Sequence, residues 1–218
     1  MNHPQTIAKQ LLKQKLLPLF YHSDKSVCMG ILTALYNAGI RCVEFTNRGS
    51  QALANFEFLI SVRDRSMPDL FLGIGTIQST EDVIQFSQLR ADFLISPIFD
   101  LSIAEQVKKQ QILWVPGCMT VTEVHLAQKN GYKLIKLFPG NVLGPDYVAS
   151  IVPLYPGLQF FVTGGVDISQ EKIKAWFDSG VSGVGLGSKL ITKEILANQD
   201  YQLLTTNTQE ILRLVASF

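Results

Sequence analysis

Lys136 is the residue whose surroundings most invite chemistry. It lies in Tyr132-Lys133-Leu134-Ile135-Lys136-Leu137-Phe138-Pro139-Gly140, a short apolar run ended by a Pro-Gly turn signal, which reads as a strand. Side chains alternate along a strand, so Leu134, Lys136 and Phe138 share one face and Ile135 and Leu137 the other. An ammonium group flanked by apolar neighbours escapes the cost of burial by losing its proton. A neutral amine attacks carbonyl carbon, which makes Lys136 a candidate Schiff-base former. The plainer alternative is a strand-edge lysine whose stem snorkels to water.

The same parity finds companions. In Arg41-Cys42-Val43-Glu44-Phe45, Cys42 and Glu44 share the face opposite Val43 and Phe45. In Gln159-Phe160-Phe161-Val162-Thr163, Phe161 and Thr163 oppose Phe160 and Val162. In Gly183-Val184-Gly185-Leu186 the glycines alternate with outward apolar side chains. Glu44, Lys136 and Thr163 therefore converge if these strands surround one interior. A carboxylate beside a carbonyl-attacking amine can move the protons that carbinolamine formation, dehydration and carbon–carbon cleavage require. The alternative for Glu44 is an ion pair with Arg41 or Arg48. Arg48, on the loop beyond, carries a planar fork that suits a substrate carboxylate. Thr163-Gly164-Gly165 and Gly185-Leu186-Gly187-Ser188 end the last two strands, where barrels hold phosphate through backbone N–H groups. His3, His22 and His125 share no ligand spacing and read as incidental; Trp114 and Trp176 read as packing residues.

Composition bounds the partners. With 47% hydrophobic and 17% charged residues in 218, the chain can bury a large core and suits one domain, 1–218. A net charge of +1 gives no reason to expect nucleic acid or an acidic membrane. Cys28, Cys42 and Cys118 are widely spaced without a CxxC pattern, which argues against a disulfide framework or zinc site. The polar start Met1-Asn2-His3-Pro4-Gln5 leads into no apolar signal core, and no apolar run approaches the roughly 18 residues of a bilayer span. A soluble cytoplasmic protein is the expectation.

Stepping along the chain, an amphipathic start at 7–12 precedes a first strand at 16–21, and Ser23 or Asp24 can cap a helix to about 38. Strands follow at 41–45, 70–74, 93–96, 112–115, 132–138, 159–163 and 183–186, with helices predicted at 50–62, from 79 or 80, at 101–109, 120–130, 171–177 and in the tail 192–218. Gly39, Gly131 and Gly180 each close a helix before a strand. Eight strands alternating with helices fit a (β/α)8 TIM barrel; an open doubly wound α/β sheet is the competitor.

With these residues in hand, the chain resembles the 2-keto-3-deoxy-6-phosphogluconate (KDPG) / 4-hydroxy-2-oxoglutarate (KHG) aldolase family, class I lyases on a (β/α)8 barrel. The resemblance covers about 16–190. It rests on Val43-Glu44-Phe45-Thr46-Asn47-Arg48, Gly73-Ile74-Gly75-Thr76, Ile95-Ser96-Pro97, Pro116-Gly117-Cys118-Met119-Thr120, Lys136-Leu137-Phe138-Pro139, Thr163-Gly164-Gly165 and Gly187-Ser188 in order. It implies that Lys136 is the Schiff-base lysine and Glu44 the acid/base. Arg48, Thr76 and Thr163 would hold the pyruvyl carboxylate and nearby hydroxyls. Pro97, Phe138 and Pro139 would wall the reacting carbons, and Gly164, Gly165, Gly187 and Ser188 would meet the phosphate. It further implies a cytoplasmic homotrimer that acts on keto acids and pyruvate and uses no metal or other cofactor.

The chain departs from the family pattern in places. Asn47 stands where an aliphatic residue is expected, Val162 where proline is common, and Gly140 where alanine is common. Leu186 replaces the first glycine of a Gly-Gly-Ser pattern, and Lys189 follows the serine. The expected reaction is reversible cleavage of a 2-keto-4-hydroxy acid, giving pyruvate with glyceraldehyde 3-phosphate or glyoxylate. The competing functions are a phosphate-binding barrel isomerase or epimerase, and a barrel that binds without catalysis.

Overall fold

In the computed structural model, which describes residues 4–218, the alternating hydrophobic pattern becomes a ring of parallel strands. They are β1 (Leu16–Phe20), β2 (Cys42–Thr46), β3 (Phe71–Gly75), β4 (Phe93–Ile95), β5 (Leu113–Val115), β6 (Gly117–Cys118), β7 (Leu134–Leu137), β8 (Gln159–Thr163) and β9 (Gly183–Leu186). Their order is β5-β4-β3-β2-β1-β9-β8-β7-β6. Eight strands were expected and nine segments form, because Pro116 has no N–H to donate and splits the fifth. Its carbonyl still accepts from Lys136 N–H at 2.9 Å. One stretch of chain thus pairs with β4 at one end and β7 at the other, which nearly closes the barrel and removes the open-sheet alternative.

The ten helices are α1 (Pro4–Gln14), α2 (Lys25–Asn37), α3 (Ala52–Ser66), α4 (Thr80–Gln88), α5 (Leu101–Gln110), α6 (Val121–Lys129), α7 (Gly140–Ile151), α8 (Gln170–Asp178), α9 (Lys193–Asn198) and α10 (Tyr201–Val215) among the described residues. Asp24 caps α2, and Ser79 and Thr120 open α4 and α6 with reciprocal capping boxes. The stop after α2 has Gly39 at φ 103°, with Ile40 N–H reaching back to Leu35 O at 3.1 Å, the Schellman arrangement.

Two expectations need correction. The sequence offered no helix between the sixth and seventh predicted strands, yet α7 fills that place. Pro139 does end β7, but it also stands at the N-cap of α7, since a proline at a helix entrance loses no hydrogen bond. Gly144 (φ 74°) and Pro145 then kink α7, which hides its periodicity. The tail is two helices, parted at Gln199 with φ 49°.

Packing follows strand parity. Val43, Phe45, Ile135, Leu137, Phe160, Val162, Val184 and Leu186 pack outward against the helices. Leu17, Cys42, Phe93, Ile95, Val115, Leu134 and Phe161 fill the interior with Ile7 and Leu11 of α1, so α1 plugs the end at which the strands begin. Gln14 holds that plug: its amide oxygen accepts from Cys42 N–H at 2.9 Å, and its amide nitrogen donates to Cys42 O at 2.9 Å. Glycines make room for the large interior groups. A Cβ on Gly73 would lie 2.2 Å from the Phe93 ring, and one on Gly183 would lie 2.4 Å from the Phe161 ring.

Candidate active site

The glycine device recurs in the functional layer. A Cβ on Gly75 would lie 1.7 Å from Glu44 Oε1, and one on Gly185 would lie 2.4 Å from Thr163 Oγ1. Bare backbone on β3 and β9 thus gives the carboxylate and hydroxyl their positions. Glu44 Oε1 stands 3.8 Å from Lys136 Nζ, with side-chain exposures of 1% and 8%. The expected alternative partner Arg41 is taken elsewhere: it pairs with Asp69 and donates to Tyr36 O and Ile40 O. Glu44 Oε2 is buried without a hydrogen-bond partner among the described residues. Burial raises the Glu44 pKa above the usual carboxyl value, while the positive charges of Lys136 and Arg48 pull it partly back. Lys136 Nζ also lies 5.2 Å from the centroid of the Phe138 ring.

A cleft of about 460 Å³ opens above this pair. Its wall includes Lys136, Arg48, Phe138 and Thr163 together with Gly164, Gly165, Gly187 and Ser188. Gly164 and Gly165 have φ of 99° and 69°, a backbone turn suited to presenting N–H groups to an anion. Four expected residues do not line it, the buried Glu44 among them. Thr76 is half-buried just beyond β3 at φ 64°. Pro97 has its backbone against Gly117, and Pro139 leads into α7.

Sequence reasoning missed Thr46, Tyr21, Lys189 and Lys193, all on the wall. Thr46 was findable, because it lies two residues beyond Glu44 on the same strand face. Lys189 Nζ lies 3.3 Å from Asp167, joining the loops after β9 and β8. Lys193 arrives with the start of α9, which also brings Leu196 to the wall and which no local pattern announces.

Other chemistry finds little support. Among the described residues no three His, Cys, Asp or Glu side chains gather as a metal-ligand set. His3 lies outside the described residues, and His22 Nδ1 accepts from Asp24 N–H at 3.0 Å. Cys28, Cys42 and Cys118 are free and buried; burial pushes the Cys28 thiol up to about 11 and Cys118 up to about 12, far from a reactive thiolate. Trp114 and Trp176 are buried packing residues as expected. No helix among the described residues is long and apolar enough to cross a membrane.

A family model for KDPG and KHG aldolase matches residues 7–207. The chain belongs to that aldolase family. Relatives of this aldolase include the 2-dehydro-3-deoxy-phosphogluconate aldolase of Treponema pallidum, 26% identical over 96% of this chain and 98% of the relative. The 2-dehydro-3-deoxy-6-phosphogalactonate aldolase of Escherichia coli is 27% identical over 72% of this chain and 75% of its own. In solved structures the fold is shared with the KDPG aldolase of Legionella pneumophila, whose crystals hold pyruvate as a covalent carbinolamine. The TM-score is 0.86 at 24% identity, over 96% of this chain and 98% of that one.

Two of this aldolase's departures from the family pattern touch each other. A Cβ on Gly140 would lie 2.7 Å from Val162 Cγ2, so the branched side chain at 162 occupies the space that an alanine at 140 would take. Gly140→Ala is expected to cost about 1–3 kcal/mol by overpacking, read as a Tm lower by several degrees. In a double-mutant cycle with Val162→Ala, the pair is expected to lose less stability than the sum of the singles.

Proposed function

We propose that the protein cleaves a 2-keto-4-hydroxy acid reversibly through a Schiff base on Lys136. The observation that carries the reading is the buried Lys136–Glu44 pair, 3.8 Å apart, with Lys136 on the wall of the cleft. Lys136 Nζ passes a proton to Glu44 and bonds to the C2 carbonyl carbon, and the carbonyl oxygen leaves as water when Glu44 returns that proton. The iminium then accepts the electron pair of the C3–C4 bond as Glu44 takes the C4 hydroxyl proton, releasing an aldehyde and an enamine. Protonation at C3 and addition of water return pyruvate and the free amine. Arg48 and Thr163 hold the carboxylate and hydroxyls and Phe138 walls the reacting carbons from the cleft wall, Thr76, Pro97 and Pro139 complete these contacts from just behind that wall, and no metal takes part. An isomerase would need the glycine loops but leave the amine idle.

The phosphorylated sugar acid is the preferred substrate in this reading, with KHG the lesser one. Its support is positive charge on the cleft wall from Lys189 and Lys193, which line it along with Gly187 and Ser188. Lys189→Ala with Lys193→Ala is expected to raise KM for KDPG about tenfold or more, since each charge-assisted bond is worth about 1.5–3 kcal/mol, and to change KM for KHG much less. Steady-state kinetics on both substrates checks it. We read the protein as a homotrimer of the cytoplasm. The buried free thiols fit a reducing compartment. The apolar side chains Ile98, Leu101, Met119, Val121 and Val142, exposed on segments after β4, β6 and β7, offer a surface for a second copy.

The deciding test is borohydride reduction in the presence of pyruvate, followed by mass spectrometry. The expected product is a pyruvyl adduct on the Lys136 peptide. Its absence would favour the isomerase or a barrel without catalysis.

A further inference from the structure

Arg48 lies exposed on the loop after β2, and among the described residues its guanidinium has no ion-pair or hydrogen-bond partner to hold it over the cleft. Its neighbour is held instead. Asn47 N–H donates to Gly75 O at 2.8 Å, and Asn47 Nδ2 donates to Asp82 Oδ1 at 3.0 Å. Asp82 is the capping-box residue of α4, and its other oxygen accepts from Gln78 N–H and Ser79 N–H at 3.0 and 3.2 Å. Both ends of the Asn47 contact therefore rest on firm backbone. Arg48 N–H turns back to Thr46 O at 2.8 Å, so the direction of its side chain follows from where residue 47 is held.

Thr76 lies inside the same tie. It follows Gly75, whose carbonyl takes the Asn47 N–H, and precedes Gln78, whose N–H goes to Asp82. A β-branched residue at φ 64° is strained and persists only where its surroundings hold it. The aliphatic residue expected at 47 would keep the backbone bond to Gly75 but could not make the side-chain bond to Asp82.

We propose that Asn47 is a positioning residue: through Asp82 it couples the loops after β2 and β3 and so sets Arg48 and Thr76 for the substrate carboxylate. The proposal rests on the aldolase reading of the site, and the contact costs the loops freedom that carboxylate binding would otherwise have to remove.

The test measures the pyruvate concentration that half-saturates borohydride trapping on Lys136, together with KM and kcat for KDPG. Asn47→Leu is expected to raise the half-saturating concentration and KM about tenfold, the worth of a hydrogen bond to a charged group, with kcat changed less than about threefold. In an Arg48→Ala background the same change is expected to add little, because the group it positions is gone. Asn47→Asp is expected to fail as well, and Asn47→Asp with Asp82→Asn to recover most of the loss by exchanging the partners. Unchanged half-saturation in Asn47→Leu, a loss confined to kcat and Tm, or full additivity with Arg48→Ala would overturn the positioning role while leaving the aldolase intact. A parent protein that traps no pyruvate would overturn the aldolase reading and this proposal with it.

Discussion

Lys136→Met is expected to lower kcat/KM for keto-hydroxy acid cleavage by about 10⁴-fold or more, the scale on which a covalent nucleophile is lost. Methionine keeps most of the lysine stem's volume, and that stem runs past an apolar floor of Leu17, Ile95, Val115 and Phe161. The fold should therefore survive. Glu44 would be left as a buried carboxyl without its nearest positive charge, and a group so placed takes up a proton rather than remain ionised. Tm is expected within a few degrees of the parent, and borohydride with pyruvate should leave the 136 peptide unlabelled. Lys136→Arg separates the two roles of the side chain, since it keeps the charge beside Glu44 and loses the nucleophile. It should be as inactive as the methionine variant. Parent-rate cleavage by Lys136→Met would remove the Schiff base from the mechanism.

The barrel and its reactive pair were legible because strand parity is a local property. Ile135 and Leu137 against Lys136, Val43 and Phe45 against Glu44, and Val184 and Leu186 against two glycines each announce an inside and an outside. Strand ends were off by about a residue, as at β2, which starts at Cys42 and runs to Thr46. What could not be read was long-range. Whether Glu44 pairs with Arg41 or Lys136 depends on Asp69, which claims Arg41 from 28 residues away in sequence. Asn47 looked like an odd residue in a motif until Asp82 came within 3.0 Å. Pro116 and Pro139 each follow an apolar run, yet one splits a strand that continues and the other opens a helix. Proline reports a missing N–H, and several structures tolerate that absence.

Glu44→Gln is expected to lower kcat about 10²–10⁴-fold, the range for losing a positioned acid/base group. It should still allow pyruvate to be trapped on Lys136, because the amine remains. The signature lies in pH. Burial raises the Glu44 pKa, so in the parent the carboxylate that accepts the C4 hydroxyl proton is lost on acidification at a pH above the ordinary carboxyl range. The acid limb of kcat should sit correspondingly high and vanish in Glu44→Gln. Stability carries the same mark with a definite sign. Between the unfolded and folded pKa values the folded chain binds more protons than the unfolded one, so this residue's contribution is present at low pH and is lost as pH rises through the folded pKa. That fall should flatten in the glutamine variant, as followed by denaturant unfolding across the acid range. A carboxylate kept buried against this tendency beside Lys136 is what a site looks like when proton transfer outranks stability. If the acid limb survives in Glu44→Gln, the proton moves through another group and the assignment of Glu44 falls.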